Sequence, residues 1–135
     1  MDLIFEILRI YECGLKLEFI EGELLKFVPN IVDFINLYLR NPNTNENFHL
    51  RHNKDDWKGT IEAIDDIEEN IWCPELGIKG KVDVSIKTAF NTMPLELKTG
   101  RASVSLEHRG QVMMYIMMMN KLGYNVPSGL LLYLR

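Results

Sequence analysis

Two stretches, Ile78 to Ile86 and Met93 to Lys98, alternate apolar and polar side chains. That period of two fits strands and not helices. In the first, Val82, Val84 and Ile86 fall on one face, while Lys81, Asp83 and Ser85 fall on the other. A polar turn around Asn91 leads into the second, which ends at Thr99-Gly100. There Leu95 and Leu97 share one face and Glu96 and Lys98 the other. If the two strands pair, Asp83 and Glu96 converge on one point with Lys98 beside them. Upstream, Thr60 to Trp72 can also run extended, and Cys73-Pro-Glu-Leu-Gly77 supplies a turn between it and Ile78.

The remainder of the chain reads as helices and one further strand. From about Asp2 to Leu39 apolar residues recur at helical spacing, first at Ile4, Leu8, Tyr11 and Leu15, then from Leu24 to Tyr38. Gly14 and Gly22 mark a break between two helices, and Pro29 kinks the second or starts a new one. Residues 40–58 form a polar surface loop. Ser103 or Ser105 caps a helix that carries Glu107 in its first turn and is stopped by Gly123. Gly129 to Leu134 is a continuous apolar run, suited to a strand buried on both faces. Helices, three strands, a helix and a strand in that order predict an α/β fold with a mixed sheet, and the chain reads as truncated.

A length of 135 residues suits one domain with a real core. Hydrophobic residues at 47% and charged residues at 25% give the balance of a soluble globular protein, and no apolar run is long enough to span a bilayer. The acidic start, Met1-Asp-Leu-Ile-Phe-Glu6, lacks the basic opening of a secretory signal, so an intracellular protein with no membrane partner is expected. Cys13 and Cys73 belong to no zinc or redox motif and read as ordinary thiols. The net charge of −4 argues against a basic coat, so nucleic-acid contacts must come from local cations.

Two carboxylates suit Mg²⁺ or Mn²⁺, which prefer oxygen ligands and keep several waters. An ion at Asp83 and Glu96 can grip a phosphate and acidify a bound water, while Lys98 holds that water or stabilises charge. Taken alone, an Asp followed thirteen residues later by Glu-x-Lys also describes a solvated salt-bridge cluster. The following helix adds weight, because His108, Gln111 and Tyr115 lie on one of its faces and can position DNA or metal-bound water. Arg101 and Arg109 are candidates for phosphate contacts, with Lys79 and Lys81 behind them. Trp57 and Trp72 can stack bases, but packing is the expected role of both, and Met113, Met114, Met117, Met118 and Met119 are expected as core filler.

Four ordered blocks carry a resemblance. They run from Glu69 through Trp72 to Asp83, from Met93 to Gly100, from Glu107 to Tyr115 and from Gly129 to Leu134. Together they resemble the nuclease domain of the eukaryotic DNA replication helicase/nucleases of the Dna2 type, RecB-like members of the PD-(D/E)XK superfamily. The resemblance implies a restriction-endonuclease-like mixed sheet flanked by helices, apparently truncated at both ends. Residues 1–58 would be the helical part and polar loop of the nuclease domain, and residues 59–135 its catalytic core. It implies a Mg²⁺-dependent endonuclease that cuts single-stranded and flap DNA in Okazaki-fragment maturation and double-strand-break resection. Asp83 and Glu96 match the family's metal-binding carboxylates, Lys98 its catalytic lysine, and Gln111 and Tyr115 its Q-x-x-x-Y element. It further implies a nuclear, or mitochondrial, place of action and partners such as single-strand binding protein. An upstream metal-binding His, the ligands of a [4Fe-4S] cluster and an ATP-binding helicase domain are family features that these residues do not supply. A non-catalytic DNA-binding or scaffold module of the same fold is the alternative.

Overall fold

The computed structural model describes residues 12–39, 57–101 and 105–135. Expectations for residues 2–11, most of the polar loop at 40–58 and a cap at Ser103 lie outside them.

Helix α1 spans Leu17–Leu25 and α2 spans Val28–Tyr38. Gly14 has φ +66°, a left-handed conformation that glycine adopts without strain. Gly22 does not break the chain as expected; it sits inside α1. The chain turns at Gly14, as expected, and again at Lys26 and Phe27, where Pro29 occupies the first turn of α2 and its missing N–H leaves nothing unpaired.

Strands β1 (Ala63–Cys73), β2 (Ile78–Lys87), β3 (Thr92–Lys98) and β4 (Leu130–Tyr133) form one sheet in that spatial order. β1 and β2 pair antiparallel, as do β2 and β3, while β3 and β4 run parallel. A parallel neighbour needs a crossover, and helix α3 (Leu106–Lys121) provides it. Ser105 caps α3 by accepting the His108 N–H at 3.3 Å, Glu107 complements the helix dipole in the first turn, and Gly123, at φ +95°, ends the segment. The fold is thus a mixed α/β sheet flanked by helices, as the sequence predicts.

Two apolar clusters hold the layers together. Val82, Ile71 and Cys73 pack with Tyr115, Met118 and Met119 of α3 and with Val126. Ile61, Ile86, Met93 and Leu95 form the second, against which Phe34 and Tyr38 of α2, Trp57, Val84, Leu130 and Leu132 are packed. Here the simple alternation of β2 fails. Val82 belongs to the α3 cluster, whereas Val84 and Ile86 belong to the α2 cluster. Ser85, expected on a polar face, is fully buried and donates to Glu69.

The cause is an irregular stretch of sheet. The β1–β2 register shifts between Ile64 and Asp66, Glu68 takes a left-handed φ of 58°, and β2 leaves β3 after the Val84–Leu95 pair. Bulges of this kind turn a strand about its axis and re-aim its side chains. Other expectations are corrected by exposure. β4 is half-buried, since the apolar run forms the end of the described sheet. Of the five methionines on α3, Met118 and Met119 are core, while Met113, Met114 and Met117 are exposed.

Gly129, just before β4, is closely overlaid. A Cβ there would lie 2.4 Å from Val112 Cγ1 and 3.3 Å from the Pro94 carbonyl oxygen. Gly129→Ala is therefore expected to destabilise the fold by about 1–3 kcal/mol through overpacking, read as a lower midpoint in a urea melt. Gly100→Ala, which meets nothing within 4 Å, is the control and should leave the midpoint almost unchanged.

A candidate active centre where two strands part

The parting of β2 and β3 leaves backbone groups that the sheet no longer pairs. Asp83 fills that place: its Oδ2 accepts the Leu97 N–H at 2.8 Å. The carboxylate thus does for β3 what a neighbouring strand would otherwise do. Because Leu97 lies between Glu96 and Lys98, this one bond anchors Asp83 beside both.

Glu96 is 3% exposed, an unusual burial for a carboxylate. Its Oε1 accepts from Lys98 Nζ at 2.6 Å and from Gln111 Nε2 at 2.6 Å. Its Oε2 is buried and has no hydrogen-bond partner among the described residues. A charged oxygen stripped of water and left unpaired is costly. Lys98 also donates to Gln111 Oε1 at 2.8 Å. Gln111 donates to the Tyr115 hydroxyl at 2.8 Å, and that hydroxyl donates to the Lys81 carbonyl at 2.7 Å. Every polar atom of the Gln111 amide is engaged, so the side chain is locked. The i, i+4 spacing of Gln111 and Tyr115 places both on the face of α3 that meets the sheet.

The charges tune one another. Burial pulls the Lys98 ammonium down, but the hydrogen bond and charge of Glu96, with the charges of Asp83 and Tyr115, outweigh it and carry its pKa above the ordinary lysine value. Burial raises the Tyr115 phenol; the Gln111 hydrogen bond opposes this, and the charges of Glu96 and Asp83 add to it. Asp83 and Glu96 thus contribute to the shifts of both groups.

The donor set suits a hard divalent ion. Asp83 and Glu96 offer carboxylate oxygens, one of them buried and unpartnered among the described residues, and magnesium commonly uses one or two carboxylates with waters filling the rest. No cluster of three or more His, Cys, Asp or Glu with metal-binding geometry occurs among the described residues.

The remaining sequence candidates divide. His108 is not part of this centre's network; its Nδ1 bonds the Tyr133 hydroxyl at 3.0 Å. Tyr133 stands opposite Lys98 in the parallel register, so His108 braces the neighbouring strand. Arg109 lines a groove with Val112, Met113 and the residues of β4, and neither Glu96 nor Lys98 lines it. Arg101 is exposed beyond the end of β3. Trp57 packs against Tyr38 as expected, with ring centroids 5.7 Å apart. Trp72 does not pack; it is 60% exposed, with Lys79 Nζ 5.3 Å from its ring centroid. Sequence reasoning missed the Leu97 N–H and the Lys81 carbonyl, because backbone groups leave no mark in residue identity. It also missed the Ser85–Glu69 pair. Glu69 lies in one of the blocks that carried the resemblance, which was the available signal.

Comparison with known proteins finds relatives along most of the chain. The family model for DNA replication factor Dna2 matches residues 3–88, which include Asp83. The DNA replication ATP-dependent helicase/nuclease of Gallus gallus is 36% identical over 141 residues, covering 94% of this chain and 14% of that protein. Its Homo sapiens counterpart is 34% identical over 144 residues, with the same coverage. That of Schizosaccharomyces pombe is 33% identical over 138 residues, covering 93% of this chain and 9% of that protein. The chain thus spans about one-seventh or less of the length of these relatives.

The network makes two expectations concrete. Lys98→Met leaves Glu96 buried without its counter-charge and should destabilise the fold by about 3 kcal/mol; adding Glu96→Gln should restore much of the loss, measured in urea melts at neutral pH. For the raised groups, the sign follows from linkage. A folded-state pKa above the unfolded one contributes stability below the unfolded value and loses it as pH climbs through the folded value. For Tyr115 and Lys98 that loss begins above their ordinary values of 10.0 and 10.5. Tyr115→Phe should lower stability by about 1 kcal/mol at pH 7 and flatten the decline between pH 10 and 11; an unchanged decline would remove Tyr115 from the explanation.

Proposed function

Because this chain belongs to the Dna2 family of DNA replication factors, we propose that Asp83, Glu96 and Lys98 form the centre of a Mg²⁺- or Mn²⁺-dependent DNA endonuclease. Its substrates on this reading are single-stranded DNA and flaps, as in Okazaki-fragment maturation and double-strand-break resection. A nuclear place of action and partners such as single-strand binding protein belong to the same reading.

Glu96 carries it. A carboxylate held almost wholly out of water, with one oxygen committed to Lys98 and Gln111 and the other unpartnered among the described residues, is poorly explained as a stability device. A hydrophobic side chain would fill that space more favourably. A divalent ion bound by Asp83 and Glu96 would supply Lewis-acid polarisation of the phosphate and a more acidic water.

The other roles follow from the chain's own groups. Lys98, whose pKa the Glu96 hydrogen bond and charge carry above the ordinary lysine value, is suited to stabilising developing negative charge. Gln111 fixes Lys98 and Glu96 relative to each other through its two ends. Tyr115 ties α3 to the backbone two residues before Asp83. It thereby holds the β2 side of the centre against the β3 side.

The test is a nicking assay on circular single-stranded DNA with Mg²⁺ or with a chelator, alongside calorimetry with Mg²⁺. Glu96→Gln, Asp83→Asn and Lys98→Ala should each lower cutting about 100-fold or more. Glu96→Gln should also abolish the Mg²⁺ heat. Undiminished cutting by Glu96→Gln would defeat the assignment. Mg²⁺ binding without cutting in the unaltered protein would favour the non-catalytic module.

A further inference from the structure

Trp72 stands apart from every role described so far. Trp72 is 60% exposed at the turn end of the β1–β2 hairpin. Its cross-strand partner is Lys79, whose ammonium lies 5.3 Å from the ring centroid. The ring is thus presented with a cation beside it. Its neighbours Ile71 and Cys73 point the other way, into the α3 cluster, so the strand's alternation holds Trp72 outward.

We propose that Trp72 and Lys79 form a stacking platform for single-stranded nucleic acid, Trp72 taking a base and Lys79 the adjoining phosphate. Base–aromatic stacking beside a cation is the common way to grip a single strand without reading its sequence. The chain's net charge of −4 makes a local cation the necessary source of attraction. Lys79 lies on the same strand as Asp83, four residues away, which is about 13 Å of extended backbone. The neighbouring Lys81 is already paired with Glu68, which leaves Lys79 as the cation turned towards the ring. The platform rests on the nucleic-acid reading of the protein but not on its chemistry of cleavage.

Binding of a fluorescent oligothymidylate, without divalent ions, tests it by anisotropy and by quenching of tryptophan emission. The unaltered protein should bind with quenching. Trp72→Ala should weaken binding about fivefold or more and remove most of the quenching, with Trp72→Phe intermediate. Lys79→Ala should reduce the slope of log affinity on log salt by about 0.7, one phosphate's share for a single strand. Because Trp72 is exposed, thermal melts of the variants should match the parent.

Unchanged affinity and quenching in Trp72→Ala would overturn the platform. So would absence of oligothymidylate binding by the unaltered protein, or loss of self-association in Trp72→Ala without loss of oligonucleotide binding, since Trp72 would then serve a protein contact. Failure of the Glu96 assignment in the nicking assay would leave these binding results standing, so the two readings fail separately.

Discussion

The Lys98–Glu96 ion pair, closed into a ring by Gln111, is the interaction on which this arrangement turns. Glu96 is buried at the sheet–helix boundary, where an unpaired charge would be ruinous, and Lys98 with the Gln111 amide makes it tolerable. The pair sits two residues apart on one strand, so strand geometry alone brings the two side chains to the same face. What the strand cannot supply is the third member. That comes from α3, and it fixes the helix's height and rotation over the sheet. Met118 and Met119, buried farther along the same helix, provide the apolar contact that keeps it there.

A second constraint is where the sheet gives way. Antiparallel pairing of β2 with β3 ends at Val84 and Leu95, and Asp83 uses its side chain to satisfy the Leu97 N–H. On the far side of β2, Glu68 adopts a left-handed backbone that an unbranched glutamate accepts only under local constraint. Strain and broken pairing therefore meet at the residue whose carboxylate is directed into the opening. Tyr115 limits how far the opening goes by holding the Lys81 carbonyl. The close approach of Gly80 to the same ring, where an added Cβ would lie 2.9 Å from Cε1, explains why a side chain would not be accommodated on β2 at that point.

Expectations failed where local pattern met tertiary geometry. Periodicity assigned Val82 to the face of Val84 and Ile86, but it packs towards α3. Glycine signals placed the helix break at Gly14 and Gly22; the chain does turn at Gly14, but α1 absorbs Gly22 and the next turn comes just ahead of Pro29. His108 shares a helical face with Gln111 and Tyr115, yet Tyr133 on β4 captures it first. Trp72 was expected to pack, and only the register that pairs it with Lys79 exposes it.

The order and kind of elements, the crossover helix with a serine cap at 103 or 105, and the candidate set Asp83, Glu96, Lys98, Gln111 and Tyr115 follow from the sequence by itself. Period, capping and residue chemistry are local properties, and a strand or helix expresses them wherever it lies. Tertiary structure decided the rest: which face Val82 takes, that Asp83 meets the Leu97 backbone, that one Glu96 oxygen is buried without a partner among the described residues, and that Trp72 stays in solvent. These depend on strand register and on the helix–sheet contact, set by groups distant in the chain and by backbone atoms common to all residues.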